Sequence, residues 1–136
     1  MTVILDYTKD VTISAEGFSL KELFTDALHH MGEVLQPGYC EKATHYDSNM
    51  GIRLHAEDPT ALLIDFLSEV LALTYSQKAI YCYAYFETLN DRELAATLYG
   101  KWFGKLENEI KSCTYHEARV RQEDNGRWQT PIIFEM

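Results

Sequence analysis

Four acidic groups stand at the two ends of the sequence, and their chemistry suits a metal site. Asp6 and Asp10 lie four positions apart among β-favouring residues. Glu135 precedes Met136, so a side-chain carboxylate stands beside the α-carboxylate of the last residue. Hard cations such as calcium prefer oxygen ligands of this kind. If the fold brings the two ends together, the sequence predicts an all-oxygen metal site.

Each of these acids also has an ordinary structural explanation. Asp6 or Asp10 could accept hydrogen bonds from backbone N–H groups in a turn, and Glu135 alone is typical of a solvated surface residue. The site hypothesis therefore depends on strands at both ends, because termini fray unless pairing holds them. We expect both ends to be ordered strands, with Asp10 close to the carboxylate of Met136.

A second set of candidate residues lies between Ile110 and Val120, a segment that we expect to form one strand. Alternation places Lys111 and Cys113 on one face and His116 on the other. A partly buried, hydrogen-bonded histidine is the ordinary interpretation of His116, and a general base acting with an acid is the alternative. A strand lysine is usually solvated, so Lys111 by itself indicates nothing about function.

Composition limits the classes of function. The 136 residues suit a single domain, 1–136. No apolar run is long enough to span a bilayer, and the first residues lack the basic and apolar regions of a signal peptide, so we expect no membrane association. The net charge of −9 disfavours tight, direct nucleic-acid binding, because an acidic body repels phosphates. A role in RNA metabolism would therefore require a protein partner.

The cysteine count favours a reducing compartment. Cys40, Cys82 and Cys113 are odd in number and lack Cys-x-x-Cys spacing. This pattern argues against a disulfide framework or a zinc site. We expect three buried thiols and a cytoplasmic protein.

Familiar enzyme signatures are missing. The sequence has no Gly-rich phosphate loop, no Gly-x-Ser-x-Gly elbow and no His-Glu-x-x-His. Their absence removes the easily recognised enzyme classes.

Periodicity and capping residues predict an α+β fold. The expected elements are strands at Val3–Leu5 and Val11–Ala15, a helix opened by Ser19 with a capping box to Glu22, a strand from Ile52 to Ala56, a helix opened by Asp58-Pro59, and strands at Ile80–Phe86, Leu94–Tyr99, Ile110–Val120 and Trp128–Phe134.

Some local features of these elements can also be predicted. Ile80–Phe86 is bulky on both faces, which indicates a central or covered strand. Asp124-Asn125-Gly126 predicts a tight hairpin turn, and Pro131 predicts an edge position or a bulge. We expect a two-layer sandwich, with a mixed or antiparallel sheet and two main helices on one face.

The pattern resembles the archease family, small proteins that activate the GTP-dependent, RtcB-type RNA-splicing ligase. Five segments carry the resemblance, and their order runs through nearly the whole chain. Asp6–Val11 resembles the family's Asp-His-Thr-Ala-Asp-Val, Gly17–Phe24 its Gly-Asp-Ser/Thr-Leu-Glu-Glu-Leu-Phe, Leu62–Glu69 its Leu-Leu-Val-Asp-Trp-Leu-Asn-Glu, Ile110–His116 its Val-Lys-Ala-Val-Thr-Tyr-His, and Ile132–Met136 its closing Val-Ile-Phe-Asp-Ile.

The resemblance implies a function. Archease-like proteins bind a divalent cation, often calcium, at positions matching Asp10, Glu135 and the carboxylate of Met136; manganese and magnesium are alternatives. Lys111 matches the family's functionally needed lysine. The family promotes guanylylation and multiple turnover of the ligase in tRNA splicing and RNA repair. The ligase holds the catalytic residues, so the resemblance implies a non-catalytic cofactor protein, with Asp6 and His116 as additional site or partner-contact candidates.

The sequence departs from the family pattern at several of these positions. Tyr7 replaces His, and Lys9 replaces Ala between the two acids. Glu135 is one methylene longer than the family's Asp, and Glu117 stands where Gly is common.

Two alternative functions remain open. One is a diverged, metal-free interaction or chaperone-like module of the same fold. The other is a small hydrolase that uses His116 with an acid.

Overall fold

The computed structural model describes residues 10–136. The predicted strand Val3–Leu5 and the candidate Asp6 lie outside the described residues. In chain order the elements are β1 (Val11–Gly17), α1 (Leu20–Leu35), a 3₁₀ turn (Cys40–Lys42), β2 (Ser48–His55), α2 (Pro59–Gln77), β3 (Ala79–Leu89), β4 (Glu93–Trp102), β5 (Ser112–Thr114), β6 (Arg121–Gln122) and β7 (Trp128–Glu135). The prediction of an α+β fold with two main helices is confirmed.

The strands form two antiparallel sheets. In one sheet β7 lies between β1 and β5, and the short β6 also pairs with β7. In the other sheet β4 lies between β2 and β3. Both helices contact strands of both sheets and share one apolar core with them. The sequence led us to expect a single sheet, and the described residues form two.

Local capping signals begin both helices as predicted. The Ser19 hydroxyl accepts the N–H of Glu22 (3.1 Å). The Glu22 carboxylate accepts the N–H of Phe18 (2.8 Å). In a capping box it would accept the N–H of the N-cap residue, Ser19, which is one position later. At α2, Asp58 accepts the N–H of Ala61 (2.9 Å). These bonds fix where each helix starts and therefore which face it turns to the core.

Aromatic rings join the helices to the three-stranded sheet. The ring centroid of Phe24 on α1 lies 5.6 Å from that of Phe66 on α2. Phe86 of β3 packs on both rings, with centroids 6.3 and 5.7 Å away. Aromatic pairs in this range add stabilisation beyond the burial of their area. The helices are therefore held firmly to one of the two sheets.

The prediction that Ile80–Phe86 is central or covered is wrong. It belongs to β3, which lies at the edge of its sheet, while β4 is central. Tyr83 and Tyr85 are 44% and 51% exposed on the outer face. The large rings of these tyrosines give the strand the pattern of a buried one, but tyrosine tolerates a solvated face because its hydroxyl can remain in water.

The edge position predicted for Pro131 is also wrong, because β7 is the central strand of its sheet. Pro131 pairs with Ser14 of β1. On the other side of β7, β5 pairs as far as Ile133 and β6 begins at Gln129. Pro131 thus lies in the interval that neither β5 nor β6 pairs, where its missing N–H removes no ladder hydrogen bond on that side.

The prediction of one strand from Ile110 to Val120 is wrong: only Ser112–Thr114 within it forms a strand, a turn follows, and β6 begins just beyond it at Arg121. The hydroxyl of Thr114 accepts the N–H of His116 (3.0 Å), which is a local side-chain turn that competes with a ladder. Glu117 follows in the left-handed region with φ of 62°. The alternation of apolar residues continues through this turn, so the sequence pattern predicted an unbroken strand.

The expectation of three free thiols is wrong. Cys40 and Cys82 form a disulfide across 42 positions of the sequence, and Cys113 is a free, buried cysteine. Burial raises the pKa of the Cys113 thiol to about 12. An odd cysteine count thus allowed one disulfide and one inert thiol.

Candidate functional site

The pairing of β1 with β7 brings the two acidic segments together. Val11 lies opposite Phe134 at the last residue pair of the ladder, so Asp10 and Glu135 each follow one position beyond it. Residues directly opposite in an antiparallel pair point to the same face. Phe134 is buried whereas Asp10 and Glu135 are exposed. The fold thus places both acids at the same corner of the sheet.

Glu135 is held from its other side by the residues that begin β5. Its carbonyl oxygen accepts the backbone N–H of Lys111 (2.6 Å), and its Oε1 accepts the hydroxyl of Ser112 (2.5 Å). Charge-assisted hydrogen bonds of this length fix a carboxylate. We did not identify Ser112 from the sequence, although its position opposite Glu135 follows once the strand register is known.

The last residue is also anchored. Met136 is partly buried and packs against the core, so the predicted order of the C-terminal end is confirmed. Lys111 has an exposed side chain and lines a cleft of about 180 Å³ between α2 and β5. We call Asp10, Lys111, Ser112, Glu135 and Met136 the acidic rim.

The acidic rim has oxygen donors of the right chemistry for a hard cation. Ser112 engages one oxygen of Glu135, which leaves the second carboxylate oxygen for a ligand bond. Within residues 10–136 no group of three or more His, Cys, Asp or Glu side chains is arranged to hold a metal. A site here would need the α-carboxylate of Met136 as a third ligand beside Asp10 and Glu135.

His116 lies beyond the opposite end of β5 from the acidic rim. Its side chain is 78% exposed, and its Nε2 lies 3.7 Å from Oε2 of Glu117, which is also exposed. The expectation of a partly buried histidine is wrong because the turn after Thr114 carries the ring into solvent. The structure does not bring His116 together with Lys111.

A tyrosine beside His116 ties this turn to α2. The hydroxyl of Tyr115 donates to Oδ1 of Asp65. This hydrogen bond is the main reason that the pKa of Tyr115 is raised, with partial burial and the Asp65 charge adding to it. The pair fixes the turn that follows β5, and no sequence pattern pointed to it because its partners are 50 positions apart.

Comparison with known proteins decides the family. The model of the Archease protein family (MTH1598/TM1083) matches residues 3–136. The chain belongs to the archease family. The archease of Pyrococcus furiosus is 25% identical over 137 residues, covering 94% of this chain and 93% of the relative. The archease of Thermoplasma volcanium is 28% identical over 125 residues, covering 89% and 90%.

Solved structures share the archease fold seen here. The solution structure of protein 1598 from Methanobacterium thermoautotrophicum matches with a TM-score of 0.74 and 24% identity, covering 97% of this chain and 96% of the other. The crystal structure of a Thermotoga maritima protein, described as an archease and possible chaperone, matches with a TM-score of 0.70 and 19% identity, covering 98% and 95%. At these identities the likeness shows the fold alone.

Neither helix within residues 10–136 combines the length and the apolarity that a membrane crossing requires.

Proposed function

We propose that this protein is a non-catalytic accessory factor of an RtcB-type RNA ligase in the cytoplasm, promoting its guanylylation and multiple turnover in tRNA splicing or RNA repair. The observation that carries the proposal is the seating of Lys111 beside Glu135 through the backbone bond of 2.6 Å, within a chain of the archease family. The bond holds the backbone of Lys111 beside the acidic groups, and its exposed ammonium can then reach a partner's phosphate or carboxylate.

The proposal includes a divalent cation, calcium before manganese or magnesium, held by Asp10, Glu135 and the Met136 carboxylate. When bound, the cation would neutralise the repulsion among these acids. The chain's own contribution is positional. The β1–β7 pairing aligns Asp10 with Glu135, and Ser112 orients the Glu135 carboxylate.

The test is multiple-turnover RNA joining by the RtcB-type ligase of the same organism, with and without this protein. We expect stimulation by the wild type, none from Lys111→Ala, and normal stimulation from Lys105→Ala, an exposed lysine outside the acidic rim. Both variants should unfold at the wild-type temperature. Unchanged stimulation by Lys111→Ala would remove this lysine from the proposal, and ligation without any partner would overturn the accessory role.

Metal binding has its own test, independent of the ligase. Calorimetric titration with calcium and then manganese should show one site in the wild type and a clear loss of affinity in Asp10→Asn. Asp91→Asn, at an exposed position in the β3–β4 turn, should bind as the wild type does. If Asp10→Asn binds normally but lowers the melting temperature, Asp10 is a structural residue.

The second candidate is a metal-free interaction or chaperone-like module. The observation favouring it is the aromatic outer face of the three-stranded sheet, where Tyr83 stacks at 5.8 Å from Tyr99 and Tyr99 lies 6.1 Å from Tyr46. Absence of calorimetric heat with any divalent cation, together with suppressed aggregation of an unfolded client, would support this candidate.

The hydrolase alternative predicts phosphoester cleavage that is lost in His116→Ala. The His116–Glu117 pair is exposed, so it offers no buried acid–base partner.

A further inference from the structure

The disulfide Cys40–Cys82 lies in the wall of an open cleft and joins the α1–β2 connection to β3. The cleft has a volume of about 320 Å³. Its lining consists of the two cysteines with His29, Glu33, Glu41, Tyr46 and Tyr83. Cys40 is partly buried, whereas Cys82 is 5% exposed. Cys40 is therefore the more accessible of the two residues to an attacking group in the cleft.

Cys82 occupies a β-bulge. In the β3–β4 ladder Tyr81 lies opposite Gly100 and Tyr83 opposite Tyr99, so Cys82 between them has no partner in β4. A bulge re-aims the side chain of its extra residue, and here that side chain bonds to Cys40. Because Cys82 is outside the register, breaking its S–S bond removes no residue pair from the sheet.

The segment that carries Cys40 is anchored independently at both ends. At its start the N–H of Gly38 donates to Glu33 (2.9 Å). At its end the N–H of Asp47 donates to Gly100 (2.9 Å), and the Asp47 side chain accepts from Trp102 (3.0 Å). These bonds do not depend on the disulfide. Reduction should therefore loosen the turn at Cys40 and leave the two sheets and both helices folded.

We propose that Cys40–Cys82 is a reversible thiol–disulfide exchange site for a dithiol reductant. A thiolate of the reductant attacks Sγ of Cys40, the S–S bond breaks, and its electron pair goes to Sγ of Cys82, which takes a proton from water. The second thiol of the reductant, after losing its proton, attacks the reductant's own sulfur in the mixed disulfide and releases Cys40 as a thiolate, which takes a proton from water. The reductant leaves as a disulfide, and the protein gains two electrons and two protons.

Charge in the cleft selects among reductants. Glu33 and Glu41 both line it, so an anionic monothiol such as glutathione meets two carboxylates. A neutral dithiol meets no such repulsion, and it can also resolve the mixed disulfide intramolecularly. Dithiothreitol should therefore reduce the native protein faster than glutathione at equal thiolate concentration.

The experiment uses the full chain without denaturant. The protein is equilibrated in mixtures of reduced and oxidised dithiothreitol, alkylated, and analysed by peptide mass spectrometry. We expect Cys40 and Cys82 to be labelled together in mixtures where reduced dithiothreitol predominates, and to be unlabelled where the oxidised form predominates. The circular dichroism spectrum should be the same in all mixtures. Cys113, buried with its pKa raised to about 12, should remain unlabelled and so reports that the fold is intact. Labelling that requires denaturant, or that appears at all three cysteines together, would overturn the proposal.

Two further measurements separate exchange through the cleft from global unfolding. Hydrogen exchange on the reduced protein should show lost protection within residues 36–47, with unchanged protection in α2. Glu41→Gln should react about twofold faster with glutathione, as removal of one charge several ångström away predicts, with no change for dithiothreitol. Glu69→Gln, an exposed position on α2, is the matched control. Equal effects of the two substitutions, or loss of protection throughout the chain, would show that the cleft does not control the reaction.

Discussion

Within the described part of the chain, two buried threonines differ in whether their hydroxyls are paired, and this difference makes a sharp test of the core packing. Thr74 on α2 is 1% exposed, and Thr130 on β7 is 0% exposed. The Thr130 hydroxyl accepts the N–H of Arg119 (2.7 Å) and donates to the carbonyl of Pro131 (2.9 Å). The Thr74 hydroxyl has no hydrogen-bond partner within residues 10–136. The same substitution, threonine to valine, should therefore have opposite effects at the two positions.

The magnitudes follow from the cost of burying a hydroxyl. An unpaired hydroxyl costs about 1–3 kcal/mol in protein mutational data, and valine has the same shape and a similar helix propensity. Thr74→Val should therefore raise the free energy of unfolding by about 1 kcal/mol. Thr130→Val leaves the Arg119 N–H unpaired and should lower it by about 2 kcal/mol. The entropy of unfolding, about 2.1 cal/mol/K per residue, amounts to about 0.29 kcal/mol/K over 136 residues. The melting temperature should then rise by about 3.5 °C in Thr74→Val and fall by about 7 °C in Thr130→Val.

The assay is thermal and urea denaturation followed by circular dichroism, with the disulfide kept oxidised so that one transition is compared. Destabilisation of Thr74→Val by as much as Thr130→Val would refute the reasoning, because it would mean that the Thr74 hydroxyl is paired in solution. An unchanged stability of Thr130→Val would show that its two hydrogen bonds contribute nothing net.

Two further predictions concern the turn after β5. The pKa of Tyr115 is raised above its ordinary value chiefly by the bond to Asp65. Because the folded state disfavours ionisation, this contribution to stability is present below the unfolded pKa of about 10 and is lost as the pH rises through the folded pKa. Asp65→Asn should bring the ionisation of Tyr115, followed by its ultraviolet absorbance, back towards the ordinary value. Glu117→Gly should raise the free energy of unfolding by about 1 kcal/mol, because glycine adopts the left-handed conformation without a Cβ penalty; a lower melting temperature would show that Glu117 makes a compensating contact.

Features encoded by neighbouring residues could be predicted from the sequence. Ser19 and Asp58 cap the helices as expected, since a cap depends on three or four consecutive positions. The strand predicted at Leu94–Tyr99 is confirmed and forms part of β4. Gly126, with φ of 91°, closes the predicted hairpin turn. In each case the deciding interaction is local.

Features that depend on distant partners could not be predicted. Cys40 and Cys82 are 42 positions apart, and cysteine parity cannot say which pair meets. The central position of β7 depends on strands from both ends of the chain, so Pro131 alone indicated the wrong location. The hydroxyl of Thr114 turned the chain at His116, where an alternating pattern predicted a continuing strand.

The acidic rim depends both on local sequence and on the pairing of distant strands. Two of its residues differ from the family motifs that the chain resembles, and these two residues contact each other. Glu135 stands where those motifs have aspartate, and Ser112 where they have alanine; the two lie opposite each other and share the 2.5 Å hydrogen bond. Ser112 thus orients the longer carboxylate of Glu135. The contribution of Ser112 to cation affinity should therefore depend on the presence of Glu135. In calcium titrations of the proposed metal site, Ser112→Ala alone should weaken binding, since an unrestrained Glu135 would have to be ordered on binding at a cost of about 0.5–1.5 kcal/mol. In the Glu135→Asp background the same substitution should cost little, because the shorter carboxylate loses reach to the hydroxyl. Additive effects in this double-mutant cycle would show that the two departures are independent.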